Sequence, residues 1–156
     1  MIALAFCILV TVCYLCLSAW VTRGVPESLS ATYYTLGGNG WLFQLVMMCI
    51  GFTLLPVWLE LSDVRYQWMA FISCGSLVFV GSAPSFRLPL QGAVHYASAV
   101  LCCVCAVVWQ VLVGLWDVTL FFAVLGGMLT LQFGNYMWWL EVSVIASLYG
   151  NLWRIL

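Results

Sequence analysis

The first 22 residues, MIALAFCILVTVCYLCLSAWVT (1–22), form an apolar run without a single charged side chain. A helix that crosses a bilayer needs about 20 mostly apolar residues, so this run is long enough to span one. It lacks the basic start of a secretory signal, and the tripeptide Leu17-Ser18-Ala19 is followed by Trp20 rather than by a polar mature start. We therefore expect a permanent first membrane helix here.

The composition of the whole chain indicates the same class. The 156 residues are 66% hydrophobic and 6% charged, with a mean hydropathy of +1.15. A soluble domain carries about 25% charged residues, which it needs to cover its surface, so a soluble or disordered chain is excluded. Four arginines, no lysine and a net charge of −1 leave no basic surface for nucleic acid.

Apolar runs divide the chain into a series of predicted membrane helices. Apolar residues occur on all faces of each run rather than alternating, which favours helices over a β-barrel. We expect an all-α, polytopic transmembrane bundle of about six helices in a single domain, 1–156. Five helices are the alternative, because the fifth run is short and contains Gly126-Gly127. The predicted helices are 1–22, 41–59, 67–83, 94–116, 118–133 and 138–156.

The positions of the charged residues give little information about the orientation of the chain in the membrane. Two arginines fall on each side of a six-helix arrangement, so the positive-inside count is a tie. The two longest connections, 23–40 and 84–93, lie on the same side, and long polar connections are more often exported. We therefore predict a multi-pass protein of the cell (inner) membrane with both termini in the cytoplasm.

The eight cysteines all fall inside predicted helices, which argues against a disulfide framework. Cys13 with Cys16, and Cys102 with Cys105, are pairs three residues apart, so each pair shares a helix face. Four thiols at one depth would suit tetrahedral zinc, which is the less favoured alternative. We expect small apolar packing residues instead, and no cofactor.

Few polar residues remain to carry chemistry. Ionisable groups within a membrane are costly, so they are functional candidates by default. His95 opens the fourth predicted helix and Glu141 lies in the first turn of the sixth, both on the predicted outer side. Under the outer loops we predict a shallow ligand-binding site formed by His95, Ser98, Glu141, Tyr33, Tyr34 and Arg87. In the structural alternative, His95 hydrogen-bonds a loop carbonyl and Glu141 complements the helix dipole.

Four short stretches carry a resemblance to a known family: Ser28–Leu36 (SLSATYYTL), Trp41–Leu45 (WLFQL), Phe79–Pro84 (FVGSAP) and His95–Ala99 (HYASA). Together they resemble the small six-helix membrane proteins of the DUF998 type, distantly similar to the Frag1/DRAM/Sfk1 group. The resemblance covers residues 28–100. It departs from the family pattern after Pro84, where Arg87 stands in place of an acidic residue. It implies a six-helix bundle with both termini inside, and no particular reaction.

Catalytic motifs are missing, because there is no glycine-rich phosphate loop, no H-E-x-x-H and no G-x-S-x-G. This favours a protein without enzymatic activity that binds membrane lipids, or that assembles with other membrane subunits or with its own copies. The first alternative is a lipid-directed enzyme in which His95 acts as general acid or base and Glu141 orients it. The second alternative is a small channel or transporter, which would need a continuous polar lining.

Overall fold

The computed structural model describes residues 1–156, and all of its regular secondary structure is helical. The all-α class predicted from the sequence is therefore confirmed. Helix α2 (Thr32–Thr35) is a single turn in the first connection, followed by a 3-10 turn at Gly37–Asn39. The six long helices are α1 (Ile2–Thr22), α3 (Trp41–Leu61), α4 (Gln67–Ser82), α5 (Pro89–Leu112), α6 (Trp116–Phe133) and α7 (Tyr136–Ile155).

Four of the long helices, α1, α3, α5 and α6, are long and apolar enough to cross a membrane. This supports the membrane class of the protein. Helix α4 has only 16 residues, fewer than the roughly 20 that a full crossing needs. Helix α7 has 20 residues but carries Glu141, Asn151 and Arg154. The count of six crossings stays a prediction.

The ends of α5 differ from the predicted run 94–116. The helix begins at Pro89, because the fixed φ of proline suits the first helical position and its missing N–H is not needed there. It ends at Leu112, and Gly114 follows with φ 79°, a conformation that favours glycine. The break between the predicted helices 94–116 and 118–133 lies at residues 113–115 rather than at residue 117, and Asp117 is in the first turn of α6.

Five of the long helices form a ring. Helices α1, α3, α4 and α5 pack in chain order, and α7 lies between α5 and α1 and closes the ring. Helix α6 lies outside and packs mainly on α7, so only Gly126 of its residues is buried. Helices α3 and α4 approach closely at Gly51 and Gly81, where a methyl group would meet the opposite helix.

The connections collect at two ends of the bundle. At the end that we call the loop end, Asn135 donates to the carbonyl of Val25 at 2.8 Å. At the opposite end, Arg154 pairs with Asp117 at 2.5 Å across the α6–α7 hairpin. In the short α3–α4 connection there, the Arg65 guanidinium donates a hydrogen bond to Asp63 and holds the pKa of that carboxyl below its usual range.

Candidate functional site

A narrow cavity lies inside the five-helix ring. It has a volume of about 80 Å³, and 18 of its 22 lining residues are hydrophobic. Helices α1, α3, α4, α5 and α7 all contribute to its wall, whereas α6 contributes nothing. On α3 the lining runs from Val46 to Trp58, which is about 18 Å at the helical rise per residue. The cavity is therefore a long apolar slot.

The slot is closed at the loop end by residues 29–32, which we call the roof. Leu29 and Ser30 line the cavity, and Thr32 is fully buried. Side chains from three helices hold the roof. The Leu29 N–H donates to Oε2 of Glu141 on α7 at 2.6 Å. The Ser30 hydroxyl bonds His95 on α5 at 2.9 Å, and the Thr32 hydroxyl bonds Tyr14 on α1.

Glu141 is the only ionisable carboxyl group in the cavity wall. The Leu29 N–H is its sole hydrogen-bond partner, so the second carboxyl oxygen, Oε1, makes no hydrogen bond within the chain. The two ion pairs of the structure join Arg65 to Asp63 and Arg154 to Asp117, and no arginine neutralises Glu141. Glu141 is half-buried in the cavity wall, and its second oxygen is open to a further hydrogen bond.

His95 lies behind the roof, and its ring is fully engaged. Nδ1 donates to the carbonyl of Ala83 at 3.0 Å, so in the neutral ring Nε2 accepts from the Ser30 hydroxyl. The ring is 2% exposed and packs on Phe86 with 5.1 Å between centroids. The bond to Ala83 is the loop-carbonyl contact of the structural alternative. Since the ring does not line the cavity, it is not available to a ligand there.

The predicted direct contact between His95 and Glu141 was wrong. Leu29 and Ser30 are consecutive roof residues, and each takes one of the two side chains as its partner. The roof backbone therefore stands where the direct hydrogen bond was expected. Glu141 does not orient the His95 ring in this arrangement.

The other predicted site residues lie outside the cavity. The Arg87 guanidinium lies 4.2 Å from the Tyr34 ring centroid, and the Arg87 N–H donates to the Tyr34 hydroxyl at 3.1 Å. The Ser85 hydroxyl is 3.5 Å from that of Tyr33. These contacts join two loops at the protein surface. Ser98 is buried on the His95 face of α5 but does not line the cavity. The six residues of the predicted shallow site therefore do not form one site, and Glu141 is the one among them that lines the cavity.

The four cysteines of the zinc alternative do not meet. Cys13 and Cys16 are exposed on the outer surface of α1, whereas Cys105 is buried within the bundle. Cys102 lies at the α4–α5 contact, where its carbonyl accepts from the Ser73 hydroxyl at 2.9 Å. No three His, Cys, Asp or Glu side chains are grouped for a metal ion. The tetrathiolate alternative was wrong, because α1 turns its pair away from α5.

A polar cluster at the opposite end was not predicted. The Asn151 amide, fully buried on α7, donates to Gln110 Oε1 at 2.7 Å and lies 3.1 Å from the Leu115 carbonyl. The Thr119 hydroxyl donates to the same Gln110 oxygen at 2.9 Å. The sequence did contain a signal for this cluster, because Gln110 and Asn151 are carboxamides within apolar runs, and such side chains often form hydrogen bonds between membrane helices. The cluster joins α5, α6 and α7.

No family model matches the chain, and searches of the curated proteins and of the solved structures found no match to it. The resemblance to the DUF998 type therefore stays a prediction. The grounds for a function are the cavity, its roof and the carboxyl group between them.

Proposed function

We propose that this chain is an integral membrane protein that binds a lipid by taking one hydrocarbon chain into the cavity of its helix bundle. The apolar slot that ends at a polar roof carries this proposal. A lipid has the same arrangement of apolar and polar parts as the slot, because its apolar chain ends in a polar head. The slot presents apolar walls along its length and Glu141 at the roof.

The length of the slot matches that of one chain. Its length of about 18 Å on α3 is close to half of the roughly 30 Å hydrocarbon core, which is the depth that one lipid chain occupies. Its free volume of about 80 Å³ is smaller than the roughly 150 Å³ cavity that holds one benzene, so a chain enters the slot only as the lining side chains move apart.

The driving force for this binding is packing. A lipid chain leaving the bilayer is already in an apolar solvent, so it gains little from the hydrophobic effect. An unfilled slot, however, leaves its lining without dispersion partners on one side. A chain that fills the slot restores those contacts along five helices.

The alternatives receive less support from the geometry. Both ring nitrogens of His95 are occupied, so the residue that the enzyme alternative uses as general acid or base is not free. The lining has four polar non-aromatic residues among 22, which does not make the continuous polar path of a channel. Assembly with other subunits stays a prediction, and the exposed side of α6 is where it would occur.

The test fills the slot at Ala99, which lines it. The purified protein is analysed by native mass spectrometry and labelled in nanodiscs with a lipid carrying a photoreactive group at its chain end. We expect retained lipid and labelled peptides from α3, α4 and α5 in the wild type. Ala99→Leu should reduce both by about tenfold, which corresponds to about 1.4 kcal/mol.

The matched control is Ala123→Leu, which adds the same atoms on the exposed side of α6. It should leave retention and labelling unchanged. Labelling confined to α6 and other outer surfaces in the wild type would contradict the proposal. Equal losses in the two variants would do so as well.

A further inference from the structure

We infer that the lipid taken into the slot has a head group that donates a hydrogen bond and carries no negative charge, such as a hydroxyl or an amine, and that Glu141 accepts that bond. This inference rests on the proposed function, because it concerns the head of the molecule whose chain fills the slot. It excludes free fatty acids and other single-chain anions as preferred ligands.

The first step of the argument is the position of the carboxyl group. Glu141 lies in the cavity wall beside Leu29 and Ser30 of the roof, so it stands at the polar end of the slot. The opposite end of the lining on α3 is Trp58, which is deeply buried. A chain that fills the slot with its tail toward Trp58 brings its head to Glu141.

The second step is the free acceptor. Oε2 accepts from the Leu29 N–H, whereas Oε1 has no partner in the chain. Every other hydroxyl at the roof is committed, since Ser30 bonds His95 and Thr32 bonds Tyr14. The unsatisfied group at this end is thus an acceptor, and a hydrogen-bond donor satisfies it.

The third step is charge. The cavity lining contains no arginine or histidine, and neither ion pair of the chain includes Glu141. An anionic head beside the ionised form of this carboxyl group would meet a like charge in a low-dielectric site, with no cation to compensate. A hydroxyl donates without bringing charge, and an ammonium group donates with the opposite sign.

The experiment measures competition for photolabelling of the cavity. The protein in nanodiscs is labelled with a photoreactive hexadecanol in the presence of four competitors that share one chain: hexadecanol, hexadecylamine, hexadecyl methyl ether and hexadecyl sulfate. The ether lacks a donor, and the sulfate is a permanent anion. We expect hexadecanol and hexadecylamine to compete about tenfold better than the ether, the equivalent of one hydrogen bond to a charged or buried acceptor. The sulfate should compete least.

The variant Glu141→Gln keeps the shape of the side chain and removes its charge. In this variant the advantage of hexadecylamine over the ether should shrink, and the sulfate should compete better with the photoreactive hexadecanol. Labelling by the photoreactive hexadecanol itself should persist. Glu27→Gln is the control, because Glu27 is exposed in the same loop and outside the cavity. It should behave like the wild type.

The outcomes separate the two proposals. If the sulfate competes as well as the alcohol in the wild type, the head-group inference is overturned while chain binding stands. If hexadecylamine keeps its full advantage over the ether and the sulfate still competes least in Glu141→Gln, the assignment to Glu141 is overturned. If neither the photoreactive hexadecanol nor the lipid with a photoreactive chain end labels the cavity walls, the proposed function itself is refuted.

Discussion

Replacing Gly51 of α3 with alanine should destabilise the bundle, because this glycine sets how closely α4 approaches. A methyl group there would lie 2.8 Å from Cγ2 of Val78 and 3.0 Å from the carbonyl oxygen of Cys74. Neither neighbour yields readily, because Val78 is β-branched with a restricted χ1 in a helix and the Cys74 oxygen belongs to the backbone. Overpacking of this kind costs about 1–3 kcal/mol.

Gly75 of α4 supplies a matched variant on the same helix pair. A methyl group there meets no atom within 4 Å, so Gly75→Ala adds no clash. Alanine is favoured over glycine by about 1 kcal/mol inside a helix, so this variant should be neutral or stabilising. The same helix preference acts in Gly51→Ala, so it cancels when the two variants are compared. Their free energies of unfolding should therefore differ by the overpacking cost alone, about 1–3 kcal/mol. For a chain of this length the difference in Tm is roughly 2–12 °C.

The buried thiols provide the assay. Cys7, Cys74 and Cys105 are buried in the folded chain, so with the exposed Cys13 and Cys16 replaced by serine a thiol-reactive fluorophore reports unfolding during a thermal ramp in mild detergent. Gly51→Ala should expose them at a lower temperature than the wild type, and Gly75→Ala at the same or a higher one. If Gly51→Ala is as stable as Gly75→Ala, the close approach of α3 and α4 does not control the packing of the bundle.

Three further substitutions test other parts of the structure by the same assay. In Gly126→Ala the new methyl group would overlap the Ser143 hydroxyl and lie 3.2 Å from the Trp139 carbonyl oxygen on α7, so Tm should fall. Gly127→Ala meets nothing within 4 Å and should not lower it. His95→Phe leaves the Ser30 hydroxyl and the Ala83 carbonyl without a partner, and each unpaired group should lower the free energy of unfolding by about 1–3 kcal/mol. The control Tyr96→Phe, on the exposed side of α5, should leave Tm unchanged. Asn151→Leu removes the shared donor of the opposite-end cluster and should cost about 1 kcal/mol. Unchanged unfolding of His95→Phe would contradict its role behind the roof.

The helical class was predictable because it depends on local composition. Long apolar runs without alternation can satisfy their backbone hydrogen bonds only within a helix, whatever the neighbours are. Helix ends were less predictable. The Pro-Leu-Gln-Gly stretch at residues 89–92 has the composition of a loop, yet Pro89 opens α5 and Gly92 packs against the Phe86 carbonyl.

The site was only partly predictable, because its contacts depend on which helices are neighbours. His95 and Glu141 were identified as candidates by the cost of polar groups in a membrane, which is a property of single residues. Their partners are 65 and 112 residues away along the chain, in the roof. No periodicity within a helix encodes such a contact, so the sequence indicated the right side chains with the wrong pairing.

Exchange of the proposed lipid requires the roof to open. The roof is held by three side-chain contacts, one each from α1, α5 and α7. At roughly 0.5–1.5 kcal/mol net for each hydrogen bond, releasing all three costs about 1.5–4.5 kcal/mol, and exposing the buried Leu29 side chain adds about 1.5–3 kcal/mol. The sum overlaps only the lower part of the 5–15 kcal/mol typical of global unfolding, so we expect the roof to open locally in a small fraction of molecules. Two of the contacts join Tyr14 to Thr32 and Ser30 to His95, and in each of them one partner, Tyr14 or Ser30, lines the cavity. The third contact is the hydrogen bond from the Leu29 N–H to Oε2 of Glu141, whereas Oε1 of the same carboxyl group accepts from the proposed head group. Binding of the lipid and closure of the roof therefore depend on one side chain and should be coupled.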